Sequence, residues 1–265
     1  MRDDIFLNKK GQVTIFVIVG ILLVASVSIF FLFQSGLLPQ IGGKQETSAN
    51  VFLDSCLEDV VDEAVELVLK NGGYTESSLF VNFQFAGEKN PQKVSYLCYN
   101  QADYLPCVNQ QPVLFQSIAR EISNYIERDV ENCFDEMVKN FESQRFDVAS
   151  KYNGFELSLK PGRVEVQTNS EVTLTKSGEA STQRNFKVVV NTGLYELANV
   201  VSEILRKEAL TCGFNYRGYE LLYSQFDIEK TIELDSSSDI YTIEYLNTNE
   251  KFIFAVRGCI IPPGF

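Results

Sequence analysis

The sequence predicts an α+β fold, antiparallel sheets packed by amphipathic helices, behind one N-terminal apolar helix. Three observations carry this. Residues 13–33 hold 21 positions without a charge. Segments beginning near residues 51, 112 and 194 repeat apolar residues at the three-and-four spacing of a helix face. Between and after them, short stretches alternate apolar and polar residues and are punctuated by Gly, Pro, Asn and Ser pairs, the pattern of strands joined by tight turns.

Taken in order, the apolar run comes first. At about 1.5 Å per residue it reaches roughly 30 Å, the thickness of a bilayer's hydrocarbon. Its only hydroxyls, Thr14, Ser26 and Ser28, can bond back to the helix backbone. Residues 34–50 follow with Gly36, Pro39, Gly42 and Gly43, residues that break helices and mark a linker. From residue 51, Leu53, Leu57, Val60, Val61, Ala64 and Val68 form one apolar stripe, stopped by Asn71-Gly72-Gly73. Residues 79–86 and 94–99 read as strands, and residues 99–111 as a loop rich in Asn, Gln and Pro. Pro112 opens a long helix to about Phe141, with Phe115, Ile118, Ile122, Tyr125, Ile126, Cys133, Phe134, Met137 and Phe141 as its apolar residues.

The stretches 155–160, 163–168, 171–176 and 183–190 all alternate, separated by Pro161-Gly162, Asn169-Ser170 and Ser177-Gly178, which predicts a four-strand meander. Residues 194–210 form another amphipathic helix, and 226–234, 240–246 and 251–257 a closing three-strand meander. The predicted organisation is a leader over 1–12, a transmembrane helix over 13–33, a linker over 34–50 and one α+β domain over 51–265. Within that domain residues 112–210 look self-contained, and 51–111 can join 211–265 as a second lobe.

Arg2, Lys9 and Lys10 precede the apolar run, and the next cation after it is Lys44. The positive-inside bias therefore puts the N-terminus in the cytoplasm and the main domain outside, at the cell membrane. Lys9-Lys10-Gly11-Gln12, followed at once by an unbroken apolar helix, resembles the class III signal peptide of archaeal type IV pilin-like proteins. The resemblance covers roughly residues 8–33. It implies a prepilin-type peptidase as partner, cutting between Gly11 and Gln12, with Lys10, Gly11 and Gln12 as the processing site. Where many members carry Glu at the fifth mature position this chain has Phe16, and Pro39 with Gly42-Gly43 interrupts the helix that would continue into a pilin head. Both departures favour a tethered domain over a rigid filament subunit.

The six cysteines are Cys56, Cys98, Cys107, Cys133, Cys212 and Cys259. Spacing alone does not choose their pairing. Cys98 and Cys107 flank one loop; Cys212 and Cys259 bracket the last meander; Cys56 and Cys133 remain as an interhelix staple. The alternatives are a zinc site, which would want C-x-x-C spacing or His partners, and free buried thiols at Cys56 and Cys133 should the orientation be reversed.

The chain has 23 Lys+Arg, 35 Asp+Glu, a net charge of −12 and no His. The acidic balance argues against nucleic acid, and the absence of His removes His-based nucleophile pairs and the commonest metal ligand. Glycine-rich phosphate loops and nucleophile elbows do not occur. Glu58, Asp59, Asp62, Glu63 and Glu66 read as a solvated acidic helix face, and Asp235-Ser236-Ser237-Ser238-Asp239 as a hairpin turn rather than a calcium loop. Tyrosines cluster at Tyr96, Tyr99 and Tyr104 around the first disulfide loop, and at Tyr216, Tyr219 and Tyr223 after Cys212. A closed loop presents its rings with little ordering entropy, so Tyr96, Tyr99 and Tyr104 are the expected contact residues.

The reading is thus a single-pass, N-in membrane protein with an extracellular, disulfide-braced, non-enzymatic interaction domain. It needs no cofactor and no metal, sits in the lipid bilayer, and meets a surface protein or glycan. The alternatives are a pilin-like subunit or accessory of a type IV pilus-like filament, and an anchored hydrolase that works with carboxylates alone.

Overall fold

A computed structural model describes residues 48–259. The expected leader, the transmembrane helix over 13–33 and nearly all of the linker lie outside the described residues. Among the described residues no helix is long and apolar enough to cross a membrane.

Helix α1, Ala49–Lys70, begins just inside the expected linker and buries Leu53, Leu57, Val61, Ala64, Val65 and Val68. Its acidic residues face away from that stripe, so the helix forms because one side can be dry. It ends where predicted: Gly72 and Gly73 adopt φ of 65° and 88°, and the Gly73 amide donates to the Val68 carbonyl. Glycine is required at residue 73 for a second reason. A Cβ there would meet Ile118 Cγ1 at 3.0 Å.

Helix α2, Leu114–Ser143, runs antiparallel to α1. Cys56 bonds to Cys133, the Tyr125 hydroxyl donates to Glu63 at 2.8 Å, and Thr75 donates to Glu121 from both its amide and its hydroxyl. Ile118, Ile122, Ile126 and Val130 form one fully buried row, four residues apart.

Sheet two contains β4 (Asp147–Lys160), β5 (Arg163–Lys176), β6 (Glu179–Arg184) and β7 (Lys187–Asn191), all antiparallel. The turns at Pro161-Gly162 and Ser177-Gly178 are those predicted, but the turn expected at Asn169-Ser170 does not exist. β5 runs straight through it, with Thr168 and Ser170 on its buried face. Their hydroxyls share a 2.7 Å hydrogen bond, which lets two polar residues sit inward without ending the strand. The strand expected over 183–190 is instead broken at Asn185, whose φ is 53°. β6 and β7 lie end to end along one edge of β5, and Asn185-Phe186 stays hydrogen-bonded to it through Thr168 and Ser170. β4 starts at Asp147 rather than 155 because a bulge between Tyr152 and Phe155, at Gly154, carries the strand past an apparent turn. The Asn50 side chain extends this sheet: its amide donates to the Lys187 carbonyl and its oxygen accepts from the Lys187 amide.

Helix α3, Leu194–Thr211, buries Leu194, Leu197, Val201, Ile204 and Leu205. Its N-terminus is capped by the Thr192 hydroxyl, which accepts from the Leu194 amide, and by Glu250, which accepts from the Gly193 amide and the Thr192 hydroxyl. A carboxylate there complements the positive end of the helix dipole. A short helix α4, Tyr216–Leu222, follows where none was predicted, started by Asn215 accepting from the Gly218 amide.

Sheet one contains β1 (Phe80–Phe83), β2 (Gln92–Tyr99), β3 (Val108–Asn109), β8 (Phe226–Glu233), β9 (Ser238–Tyr245) and β10 (Glu250–Arg257). Its order is β1-β2-β10-β9-β8, with β3 also on β2. The prediction of purely antiparallel sheets is corrected here: β2 and β10 are parallel. The chain leaves β2, builds α2, sheet two and α3, and returns through a closed hairpin meander. That route delivers β10 to β2 in the same direction.

The two strand groups are therefore separate sheets. Side chains of α1, α2, α3 and both sheets nonetheless share one core, so they belong to one compact unit. A smaller cluster of Val81, Phe83, Val94, Tyr96, Ile240 and Ala255 lies on the other face of sheet one.

Candidate functional site

Three disulfides join Cys56 to Cys133, Cys98 to Cys107, and Cys212 to Cys259. The second closes the loop between β2 and β3, and everything around it holds that loop still. The Asn100 side chain donates to the Pro106 carbonyl at 2.9 Å and accepts from the Ala102 amide at 2.9 Å. Arg257, at the end of β10, donates to the Asn100 carbonyl, to Asp103 at 2.8 Å and to the Ser236 carbonyl at 3.2 Å. One guanidinium thus ties the loop to the tip of the β8–β9 hairpin, a use of its planar fork that Lys could not replace. Gly258 passes so close that a Cβ would stand 2.6 Å from the Cys107 amide nitrogen. The Cys259 amide donates to the Leu105 carbonyl at 2.9 Å, and Cys259 is itself bonded to Cys212.

Of the three tyrosines expected to face a partner here, the structure presents one. Tyr104 is 64% exposed, beside Leu105 at 44%. Tyr99 is half-buried, its ring 4.9 Å from that of Tyr96. Tyr96 is removed from the surface. Strand alternation turns it into the smaller core, where its hydroxyl shares a 2.8 Å hydrogen bond with Ser238. Sequence reasoning missed the apolar residue at the neighbouring hairpin tip, Leu234, which is 82% exposed. The available signal was an apolar residue directly before a polar turn.

The second tyrosine group surrounds α4. Tyr219 packs between Phe214 and Tyr223, with ring centroids 5.4 Å and 4.5 Å away. A groove of about 370 Å³ opens there, lined by Glu203, Lys207, Phe214, Tyr219 and Leu222. Leu221 and Leu222 stand 87% and 79% exposed on the short helix.

The acidic face of α1 stays dispersed. Glu66 pairs with Lys70 and Glu63 accepts from Tyr125. Partial burial, then the charges of Glu58 and Asp59, push the Asp62 carboxyl above its ordinary range. Among the described residues no group of three His, Cys, Asp or Glu side chains is arranged to hold a metal ion. A groove of about 710 Å³ beside the end of α1 mixes Glu66 and Glu88 with Lys70, Lys93 and Lys251. Its carboxylates are interleaved with cations rather than set against each other. Asp239, at the end of the expected hairpin turn, faces Lys230 instead of Asp235.

That last pair is half-buried and adjoins the buried Glu208 and Tyr241, a polar cluster which the sequence reading did not find. Glu208 takes a position on the apolar stripe of α3, four residues after Ile204, and is 4% exposed. It accepts from the Tyr241 hydroxyl and lies 3.6 Å from Lys230 Nζ, which is 2.7 Å from Asp239. Burial and the adjacent Glu208 charge hold the Tyr241 phenol far above its usual range, so it stays a donor. A Glu at an apolar helical position was the legible signal, since a buried carboxylate demands partners.

Comparison with protein-family models, with curated proteins and with solved structures finds no match for this chain.

Proposed function

We propose that this chain is a single-pass membrane-anchored cell-surface protein, with residues 48–259 forming an extracellular interaction domain that works by contact rather than catalysis. The observation that carries this reading is the pairing of every cysteine into a disulfide. Disulfides persist in oxidising compartments and are rare in the cytosol. The uncharged run over 13–33, with Arg2, Lys9 and Lys10 before it, supplies the anchor and the orientation.

The contact surface is the pinned loop with Tyr104 and Leu105, together with Leu234 on the hairpin tip beside it. A loop already fixed by a disulfide and an arginine clamp loses little freedom on binding, so its exposed rings and methyl groups contribute most of their burial to affinity. The exposed leucines favour a protein partner over a glycan. A second reading, a pilin-like subunit or accessory, is favoured by Lys10-Gly11-Gln12 alone and opposed by Phe16.

Sealed cells treated with a membrane-impermeant amine reagent test the placement. Lysines of the domain, such as Lys139 and Lys151, are expected to be labelled before lysis. Labelling only after lysis contradicts it. In the same sample, a mature chain beginning at Gln12 would establish peptidase processing and move the balance towards the pilin-like reading.

A further inference from the structure

We propose that residues 260–265, Ile260-Ile261-Pro262-Pro263-Gly264-Phe265, dock as an extended strap in the aromatic groove beside α4. These residues lie outside the described ones, and three observations on the described residues select them as the occupant. The first is an uncovered helix. None of the residues of α4 is buried, and Leu221 and Leu222 stand almost fully in water. A helix of two turns is marginal by itself and relies on packing for its stability. On its inner side α4 is held to β8, where Glu220 accepts from the Ile228 amide at 2.8 Å, and to the main core through Tyr216 and Tyr219. Leu222 and the groove it lines have no apolar cover among the described residues.

The second is a tether. Cys259 is bonded to Cys212, with their Cα atoms 5.7 Å apart. Thr211, Gly213 and Phe214, on either side of Cys212, line the groove. The chain after Cys259 therefore starts at the groove's edge. Extended at about 3.1 Å per residue, residues 260–265 reach roughly 19 Å, and α4 at 1.5 Å per residue is about 10 Å long. The tie also gives the strap a high effective concentration, which favours it over a separate chain.

The third is chemical fit. Pro262 and Pro263 fix their own φ and bias Ile261 towards the same extended form. Such a polyproline II segment loses little freedom on docking, and its rings seat against aromatic side chains. The groove supplies those rings: Tyr219 packs between Phe214 and Tyr223. Leu222 offers the isoleucines an apolar wall, and Lys207 and Asn215 bring donors to the carbonyls of a segment that makes no hydrogen bonds within itself.

Two measurements on the full-length protein test the proposal. Irradiated Leu222→benzoylphenylalanine is expected to cross-link within one chain, with the adduct mapped to residues 260–265. An adduct to a second copy or to lipid, or none from folded protein, overturns the strap. In a variant lacking residues 260–265, the amides of α4 should exchange roughly tenfold faster, the factor that covering one apolar side chain contributes. The amides of β4 and β5 should keep their rates, and peptide mapping should still recover the Cys212–Cys259 bond. Where the deletion costs that bond, the double variant Ile261→Ser, Pro262→Ser reads the same effect. Unchanged exchange in α4 overturns the proposal, as does equal acceleration throughout the domain.

Discussion

Sheet two is assembled from neighbours in sequence, and sheet one from the two ends of the domain. β4 meets β5 across Pro161-Gly162, and β5 meets β6 across Ser177-Gly178, so each pairing closes only a two-residue loop. The β2–β10 pairing instead brings together residues such as Asn100 and Arg257, 157 positions apart. Closing so long a loop costs entropy that local hairpins avoid. The cross-links follow that difference. No cysteine lies in sheet two, whereas Cys98–Cys107 and Cys212–Cys259 stand at the ends of β2 and β10. Neither bridge spans the β2–β10 pairing itself: they close 9 and 47 residues, and each fixes the chain beside one of the two strands that meet.

The largest expected effect is in the core of sheet one. Phe254→Ala removes a fully buried ring stacked on Tyr241 and should cost about 3–5 kcal/mol in denaturant unfolding. A loss under about 1 kcal/mol would mean that β10 is not part of the folding core. The double variant Cys98→Ser, Cys107→Ser should lose about 2–4 kcal/mol and make the loop carrying Tyr104 susceptible to limited proteolysis. An unchanged digestion pattern would show that the hydrogen bonds of Arg257, Asn100 and Cys259 hold the loop without the disulfide.

In sheet two the effects are smaller because each contact is supported locally. Ser170→Ala removes the partner of the buried Thr168 hydroxyl, which keeps only a long contact to the Phe186 carbonyl at 3.4 Å. The expected cost is about 1–2 kcal/mol. Smallest is the pH effect at Glu165. Hydrogen bonds and charge from Lys187 and Arg163 hold its carboxyl below the ordinary range. A depressed folded value stabilises above the unfolded value and is lost as pH falls through the folded one. Glu165→Gln should therefore lower stability slightly at neutral pH and flatten its decline on the acid side. A variant curve parallel to wild type at every pH would contradict the assignment.

Legibility divides along the same line. The helix limits were readable because Gly72-Gly73 and the apolar rows of α1, α2 and α3 act within one segment. Local hairpins were readable from Pro161-Gly162 and Ser177-Gly178. Where the reading failed, the deciding partner was distant. Asn169-Ser170 looks like a turn until Thr168 and Ser170 bond to each other on the buried face of β5. Tyr96 looks like a contact residue until β9 supplies Ser238. The parallel β2–β10 pair and the approach of Glu208 to the β8–β9 hairpin join segments whose proximity no local pattern encodes. Glu208 alone left a trace, as a charge on an apolar face.

The cross-links brace the ends of β2 and β10, where the non-local sheet closes. Hydrogen exchange on the variant carrying Ser at Cys98, Cys107, Cys212 and Cys259, with Cys56–Cys133 intact, tests it directly. Amides of β2, β3 and β10 should exchange much faster than in wild type, while those of β4, β5 and α2 change far less. Equal acceleration in both sheets would show instead that the domain opens as one unit and that the disulfides favour neither sheet.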